Sequence, residues 1–232
     1  MRPLQNITAE IAGLVVLEGM TELLMIRHGQ SVANIERFFA GHLNSPLTAL
    51  GESQAQLTAN YIRQNYQIDC VYASDLYRAF ATGKAVADLF NLPVKANQQL
   101  REIYAGAWEG VCYDELSARF PETYPVWLQD IGKAGCDGGE SVAALQERIL
   151  KALTHICRDH PGKCVVVATH ATPIRTLQCY AEGKSLDQLK DVPWVSNASV
   201  SSFFYEDGVF QKNYISKDTH LGQLTSVLPK NC

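Results

Sequence analysis

The sequence predicts an α/β fold, a three-layer α/β/α sandwich around a mostly parallel central sheet. Three observations predict it. Short apolar runs alternate along the chain with segments of helical period. The runs show no polar alternation, as expected of strands covered on both faces. Each ends abruptly in polar residues, where open α/β sheets place their ligands.

Glu22 to Arg27 is the first such run and reads as a buried strand, with a helical turn from Ser31 to Arg37. Thr48 to Tyr66 reads as a helix capped by Thr48, with Ala55, Ala59 and Ile62 on one face and Gly51 as a flaw in its first turn. Cys70 to Ala73 is the second strand. Ser74 or Asp75 is expected to cap a helix to about Phe90, which Asn91-Leu92-Pro93 stops. Pro93 to Ala96 reads as another short strand. Residues 98–139 are irregular and aromatic, too long for an ordinary connection, and read as a cap.

Glu140 or Ser141 opens a helix to about His160, with Val142, Leu145, Ile149, Leu153 and Ile156 on its apolar face. Lys163 to Thr169 is the clearest buried strand, followed by a helix from about Pro173 to Ala181. Ser199 to Tyr205 and Val209 to Ile215, joined by Glu206-Asp207-Gly208, read as a hairpin at a sheet edge.

The chain has 232 residues, 47% of them hydrophobic, enough for one core. That composition excludes disorder and collagen-like structure. No apolar run approaches a membrane span of roughly 18 residues, Ile11 to Leu17 being the longest near the start. A net charge of −4 argues against bulk nucleic-acid or membrane-surface binding. Seven cysteines form no C-x-x-C pair and read as reduced thiols of a cytoplasmic protein. Residues 1–20 lack the pattern of a signal peptide and read as an extension of unclear role, with Met20 as an alternative start. Residues 21–232 are expected to form a single domain.

The strand ends gather the chemistry. The first run ends in Arg27-His28-Gly29-Gln30-Ser31, the second is followed by Ser74 through Arg78, and the late one ends in Thr169-His170-Ala171-Thr172. Glu102 lies early in the irregular segment.

Arg27 through Asn34 resembles the R-H-G-x-S-x-x-N signature of the histidine phosphatase superfamily, in its phosphoglycerate-mutase-like branch. The resemblance continues, in the family's order, through Pro46-Leu47-Thr48, Ser74-Asp75-Leu76 with Arg78 and Thr82, and Leu100-Arg101-Glu102. It ends in Gly139-Glu140-Ser141 and Thr169-His170 with Pro173-Ile174-Arg175.

The residues suit the chemistry the resemblance implies. A phosphomonoester carries about two negative charges, and Arg27 and Arg78 supply planar forks for its oxygens. His170 would add a donor. His28, neutral and with one ring nitrogen donating to a backbone carbonyl, would attack phosphorus to give a phosphohistidine. Glu102 would protonate the leaving alkoxide and then take a proton from the attacking water. Ser31, Asn34, Gly41, Ala171 and Thr172 are expected to complete the cradle. No metal and no cofactor is called for, because the arginines supply the positive charge.

Other residues read as supporting. His42 reads as loop, His155, His160 and His220 as surface. Tyr104, Trp108, Tyr113 and Trp127 read as packing residues, with Tyr104, Trp108 and Tyr113 also rimming the pocket. Arg175 is expected to support the pocket or a helix.

The sequence also departs from the family. Ala171-Thr172 follow the second histidine where relatives commonly carry glycine, and Ala105 stands where mutases usually place tyrosine. The segment from Glu102 to His170 is short and lacks the mutases' basic stretch. Arg119 and Lys133 are isolated, and Arg148, Lys151 and Arg158 lie on the following helix.

The resulting expectation is a metal-independent phosphomonoester phosphatase acting on a small phosphorylated metabolite, of broad-specificity or α-ribazole type. A monomer or a homodimer is expected. The alternatives are a bisphosphoglycerate-dependent phosphoglycerate mutase and a non-catalytic phosphate-binding module. A metal-dependent phosphatase would need an Asp/His ligand cluster that the sequence does not offer.

Overall fold

The computed structural model describes residues 19–226. The expected extension therefore lies almost wholly outside the described residues, of which Gly19 and Met20 are the first. The backbone N–H of Gly162 donates to the Gly19 carbonyl, and Met20 is buried.

Six strands form one mixed sheet. β1 (Thr21–Arg27), β2 (Cys70–Ala73), β3 (Val94–Ala96) and β4 (Cys164–Thr169) run parallel. β5 (Val200–Glu206) pairs antiparallel with β1, and β6 (Val209–Lys217) closes the edge. The spatial order is β3-β2-β4-β1-β5-β6.

Both faces are covered, which explains the unbroken apolar runs. Successive residues of β1 point to opposite sides. Leu24 and Ile26 pack with Val71 and Val166 beneath α2 (Ala49–Asn65) and α3 (Tyr77–Phe90). Leu23 and Met25 pack with Val165 and Val167 beneath α6 (Val142–Asp159) and α7 (Ala171–Ala181). The expected cap is part of this second core. Leu100, Trp108, Leu116, Trp127 and Ile131 are buried in it, on 3₁₀ turns and the short helices α4 (Tyr113–Arg119) and α5 (Tyr124–Gln129), and Ile103 is buried in the irregular segment between two of the turns.

This arrangement places a switch point between β1 and β4. The chain leaves β1 toward the face of α2 and α3, and leaves the adjacent β4 toward the face of α7. Diverging connections open a crevice at the carboxyl ends of the two strands. His28 and His170 are the first residues beyond those ends.

Several local expectations change. The helix α3 is capped by Leu76, not by Ser74 or Asp75. Both hydrophilic side chains are engaged elsewhere: Asp75 holds Arg101 through two bonds of 2.7 and 2.5 Å, and Ser74 Oγ faces His170. The helix α7 starts at Ala171, because Pro173 is tolerated within a first turn that needs no donor from it. His220 is not a surface residue: its ring stacks on Tyr61 at 4.8 Å, and its Nε2 lies 2.9 Å from Thr58 Oγ1. His160 is likewise half-buried, against Tyr72. The six described cysteines are free, and burial pushes the Cys157 thiol up to about 12. Cys232 lies outside the described residues.

Gly51, the apparent flaw in α2, has a positional reason. A Cβ there would meet the Gln30 carbonyl oxygen at 2.0 Å, and one on Gly29 would meet the Gly51 carbonyl at 2.3 Å. The helix start and the loop after β1 therefore touch backbone to backbone. Alanine is the better helix former by about 1 kcal/mol, but the backbone has no room to yield. Gly51→Ala should lower stability by about 1–3 kcal/mol, read as a lower midpoint in denaturant unfolding. An unchanged or higher midpoint would contradict the close approach.

Candidate active site

Three loops converge at the crevice. The first, after β1, carries Arg27 and His28. It is held on one side by the Thr169 carbonyl, which accepts from His28 N–H at 3.0 Å, and on the other by Ala198 N–H, which donates to the carbonyls of Arg27 and His28. Gly29 N–H donates to Thr82 Oγ1 at 3.1 Å, tying the loop to α3. Ser31 then caps the short helix α1 (Val32–Glu36) in a reciprocal arrangement with Asn34.

The site's ring nitrogens are sorted by their partners. His28 Nδ1 lies 2.7 Å from the Gly29 carbonyl, which can only accept, so Nδ1 carries the proton and Nε2 keeps its lone pair. His28 is held neutral: burial, then Arg78, then Arg27 push its pKa well below 6.5, against the bond to Gly29. His170 is fully buried, 5.2 Å from His28 between ring centroids, and burial and Arg78 depress it in the same way. Its Nε2 is 2.9 Å from Ser74 Oγ, and its Nδ1 is buried with no hydrogen-bond partner among the described residues. Ser74 Oγ accepts from Leu76 N–H and keeps its hydroxyl hydrogen; where it gives that hydrogen to Nε2, the ring proton stands on the orphan Nδ1. A buried donor without a partner marks the place for an acceptor that arrives with a ligand.

The two guanidiniums are anchored by carbonyls. Arg27 Nη1 donates to Val195 O at 2.5 Å. Arg78 donates to Leu43 O and Gly41 O, both at 2.8 Å. Burial lowers Arg78 to about 10, so it stays cationic at neutral pH. Gly41 adopts a left-handed φ of 47°, and a Cβ there would strike the Glu109 carboxylate.

Glu102 enters from the segment after β3. Its Oε1 accepts from Ile103 N–H at 2.9 Å and its Oε2 from Thr172 N–H at 3.3 Å. Thr172 N–H thus serves Glu102, and Thr172 also lines the pocket. Asn34 Oδ1 takes Ser31 N–H, Ser31 Oγ and Asn197 Nδ2, so Asn34 offers the pocket its amide N–H groups.

One pocket is lined by Arg27, His28, Ser31, Asn34, Gly41, Arg78, Glu102, Ala171 and Thr172 together. His170 is fully buried, its ring edge-on to that of His28. The rim differs from expectation. Trp108 is fully buried, edge-on to Tyr124 and Trp127, and Tyr104 is largely exposed beside His42. Phe39, Trp127 and Trp194 join Tyr113 as the aromatic walls.

Sequence reading missed Ser74 as a partner of His170, and missed Trp194, Val195 and Asn197 altogether. Asn197 Nδ2 bridges the His28 carbonyl and Asn34 Oδ1 at 3.1 and 3.2 Å. Arg175 supports this segment as expected. It donates to the carbonyls of Leu189 and Val192 and lies under the Trp194 ring at 3.8 Å. The available signal was the compact polar run Ser196-Asn197 between two apolar elements.

A sheet crevice holds a neutral histidine, two buried arginines and a carboxylate in one pocket, charges and donors that suit an oxyanion ester. The chain matches the family model of the histidine phosphatase superfamily (branch 1) over residues 23–217, and it belongs to that superfamily. It is 30% identical over 207 residues to phosphoserine phosphatase 1 of Hydrogenobacter thermophilus, covering 88% of this chain and 96% of that one. It is 36% identical over 191 residues to phosphoglycerate mutase-like protein 4 of Arabidopsis thaliana, covering 81% and 80%. The solved structure of Bacillus stearothermophilus YhfR superposes with a TM-score of 0.82 at 28% identity, covering 87% of this chain and 99% of that one. The protein is a phosphatase of this superfamily, a phosphoric monoester hydrolase.

The depressed histidines give a pH prediction. His28 and His170 bind a proton less readily folded than unfolded, so the unfolded chain is protonated first as pH falls. Each then makes stability fall below about pH 6.5, by up to about 1.4 kcal/mol per pH unit. In the folded enzyme the Cε1–H signal of His28, assigned by its loss in His28→Ala, should not titrate between about pH 8 and about pH 6. A midpoint at 6.5 or above would contradict the neutral state.

Proposed function

We propose that the protein is a metal-independent phosphatase that removes the phosphoryl group from a small organic phosphomonoester through a phosphohistidine on His28. The observation that carries this reading is the pairing of a neutral His28, its Nε2 without a hydrogen-bond partner among the described residues, with Arg27, Arg78 and Glu102 in one pocket.

In the first step His28 Nε2 forms a bond to phosphorus as the ester P–O bond breaks. Glu102 gives its carboxyl proton to the departing oxygen. Arg27, Arg78 and the Nδ1–H of His170 hold the three equatorial oxygens as charge shifts through the transition state. In the second step water attacks phosphorus, the Nε2–P bond breaks, and Glu102 recovers a proton from that water. The products are the alcohol and phosphate, and the enzyme returns to its starting state. Asn34 and the main chain near Gly41 complete the cradle.

The names of relatives support the substrate class: one is a phosphoserine phosphatase, and one of Arabidopsis thaliana is a metal-independent phosphoserine phosphatase. Among the described residues no three His, Cys, Asp or Glu side chains are gathered as metal ligands, and the arginines bring the charge a metal would supply. No described helix is long and apolar enough to cross a membrane. A cytoplasmic location fits the free thiols, and a net charge of −4 fits a small-molecule substrate better than nucleic acid. The short segment between Glu102 and His170, without a basic run, favours water over a retained alcohol as acceptor.

The test is phosphate release from a panel of phosphomonoesters with chelator present. His28→Ala should abolish release while leaving the melting temperature near that of the parent. Near-normal turnover in that variant would overturn the nucleophile. Little release, with bisphosphoglycerate-primed isomerisation instead, would make the protein a mutase. Glu102→Gln should lower kcat/KM for phenyl phosphate by about 10²-fold or more and for p-nitrophenyl phosphate far less, because nitrophenolate leaves without a proton and kcat/KM excludes the shared hydrolysis step. Equal losses would remove Glu102 from the acid role.

A further inference from the structure

Glu102 reaches its pocket from a segment with no regular secondary structure, running from the 3₁₀ turn at Gln98–Leu100 to that at Gly106–Trp108. A proton donor must come within about 2.6–3.2 Å of the leaving oxygen, and three rotatable bonds separate its carboxyl from its backbone. Something must therefore fix that backbone.

Two side chains from distant parts of the chain meet on one atom, the main-chain carbonyl oxygen of Glu102. His42 Nε2 lies 2.9 Å from it, and since a carbonyl only accepts, Nε2 is the donor. Arg148 Nη2 donates to it at 3.2 Å. Neither arrives by accident of a crowded surface. This is the only hydrogen bond of the His42 side chain among the described residues. The His42 backbone is pinned by Glu109 Oε1, which accepts from both His42 N–H and Ala105 N–H. The Arg148 guanidinium is held by Glu140 in a two-bonded pair of 2.9 and 2.8 Å, both side chains mostly buried. Its Nη1 also takes the carbonyls of Gln99 and Arg101, so one guanidinium spans the strand of chain that leads to Glu102.

We propose that His42 and Arg148 are positioning residues for Glu102: by holding its carbonyl oxygen together they aim the carboxyl at the leaving-group oxygen. Neither touches the transferring atoms. The proton still passes from the Glu102 carboxyl to the ester oxygen as the P–O bond breaks. This inference rests on the acid role proposed above and gives a function to His42, which reads as plain loop in the sequence, and to the Arg148–Glu140 pair at the start of α6.

Such a role has a readout that a purely structural one lacks. An acid out of position harms esters whose leaving group needs a proton and spares those whose leaving group does not. The experiment is the slope of log kcat/KM against leaving-group acidity across substituted phenyl phosphates, for the parent, His42→Leu, His42→Gln, Arg148→Lys and Glu102→Gln. His42→Leu should steepen the slope, losing about ten-fold on phenyl phosphate and little on p-nitrophenyl phosphate. His42→Gln, whose amide N–H reaches the place of Nε2, should restore most of the loss. Arg148→Lys, a cation without the fork, should steepen the slope in the same direction. The p-nitrophenyl rate reports intact fold in each variant.

A parallel fall on all esters in His42→Leu, or a slope unchanged from the parent, would overturn the proposal. Failure of Glu102→Gln to steepen the slope would overturn the acid assignment itself, and this inference with it. A steepened slope in Glu102→Gln with none in His42→Leu and Arg148→Lys would overturn the positioning role alone.

Discussion

Two guanidinium groups buried beneath the carboxyl ends of the strands set the terms on which the rest of the site is built. Arg27 and Arg78 are both nearly inaccessible. A cation out of water is costly unless dipoles or counter-charge replace its solvent. Main-chain carbonyls of Gly41, Leu43 and Val195 supply part of that replacement. Carbonyl dipoles solvate a cation without cancelling its charge, so the field remains available to a dianion that enters. The same field acts on the neighbouring imidazoles. Burial and the arginines together strip the proton from His28, which is the state a nucleophile needs. In the proposed reaction, anion affinity and nucleophile activation thus have one cause.

Those carbonyls lie on loops, and the loops need rigid support. The support is the divergence of the chain at β1 and β4 and the contact of α2 with the loop after β1. Gly29 and Gly51 let two backbones touch, and Thr82 and Asn197 tie the same loop to α3 and to the segment before β5. The cap, far from hanging over the site, is cemented into one core by Trp108 and its aromatic neighbours. Its buried part carries Glu102 in, and its walls at Tyr113 and Trp127 face the pocket.

Much of this was legible in the sequence because it is local. β1 and β4 carry unbroken apolar stretches, Leu23 to Ile26 and Val165 to Ala168, and α6 has a regular apolar stripe with Ser141 as its cap. Arg27, His28, His170, Ala171 and Thr172 lie at or next to strand ends, where sequence position nearly fixes spatial position. What escaped is long-range. Ser74 looked like a helix cap because serine before a helix usually is one, yet its hydroxyl turns to His170, 96 residues away. Trp108 looked like pocket rim because exposed and buried tryptophans have the same letter. His220 stacks on a helix laid down 160 residues earlier. Trp194 and Asn197 sit in a stretch without period, so nothing local announces that Arg175 and the His28 carbonyl will hold it in place.

The proposed reaction makes two opposed demands on one pocket, and the arrangement of the walls meets both. Transfer to His28 goes best with water excluded, since a dry site strengthens every charge interaction within it. Hydrolysis of the phosphohistidine requires water beside the carboxylate. Phe39, Tyr113, Trp127 and Trp194 are the aromatic walls of the pocket, and they present no cation to an organic group lodged against them. The alcohol therefore keeps water out while it is bound and has little to hold it once its bond to phosphorus is broken. Its departure vacates the space beside Glu102, and water enters where the leaving oxygen had been, within reach of the same carboxylate. An enzyme that must return the phosphoryl group to its alcohol needs the reverse, a charged grip on the organic part. The absence of a basic run between Glu102 and His170 and the aromatic character of the walls thus act together to direct the phosphohistidine toward water.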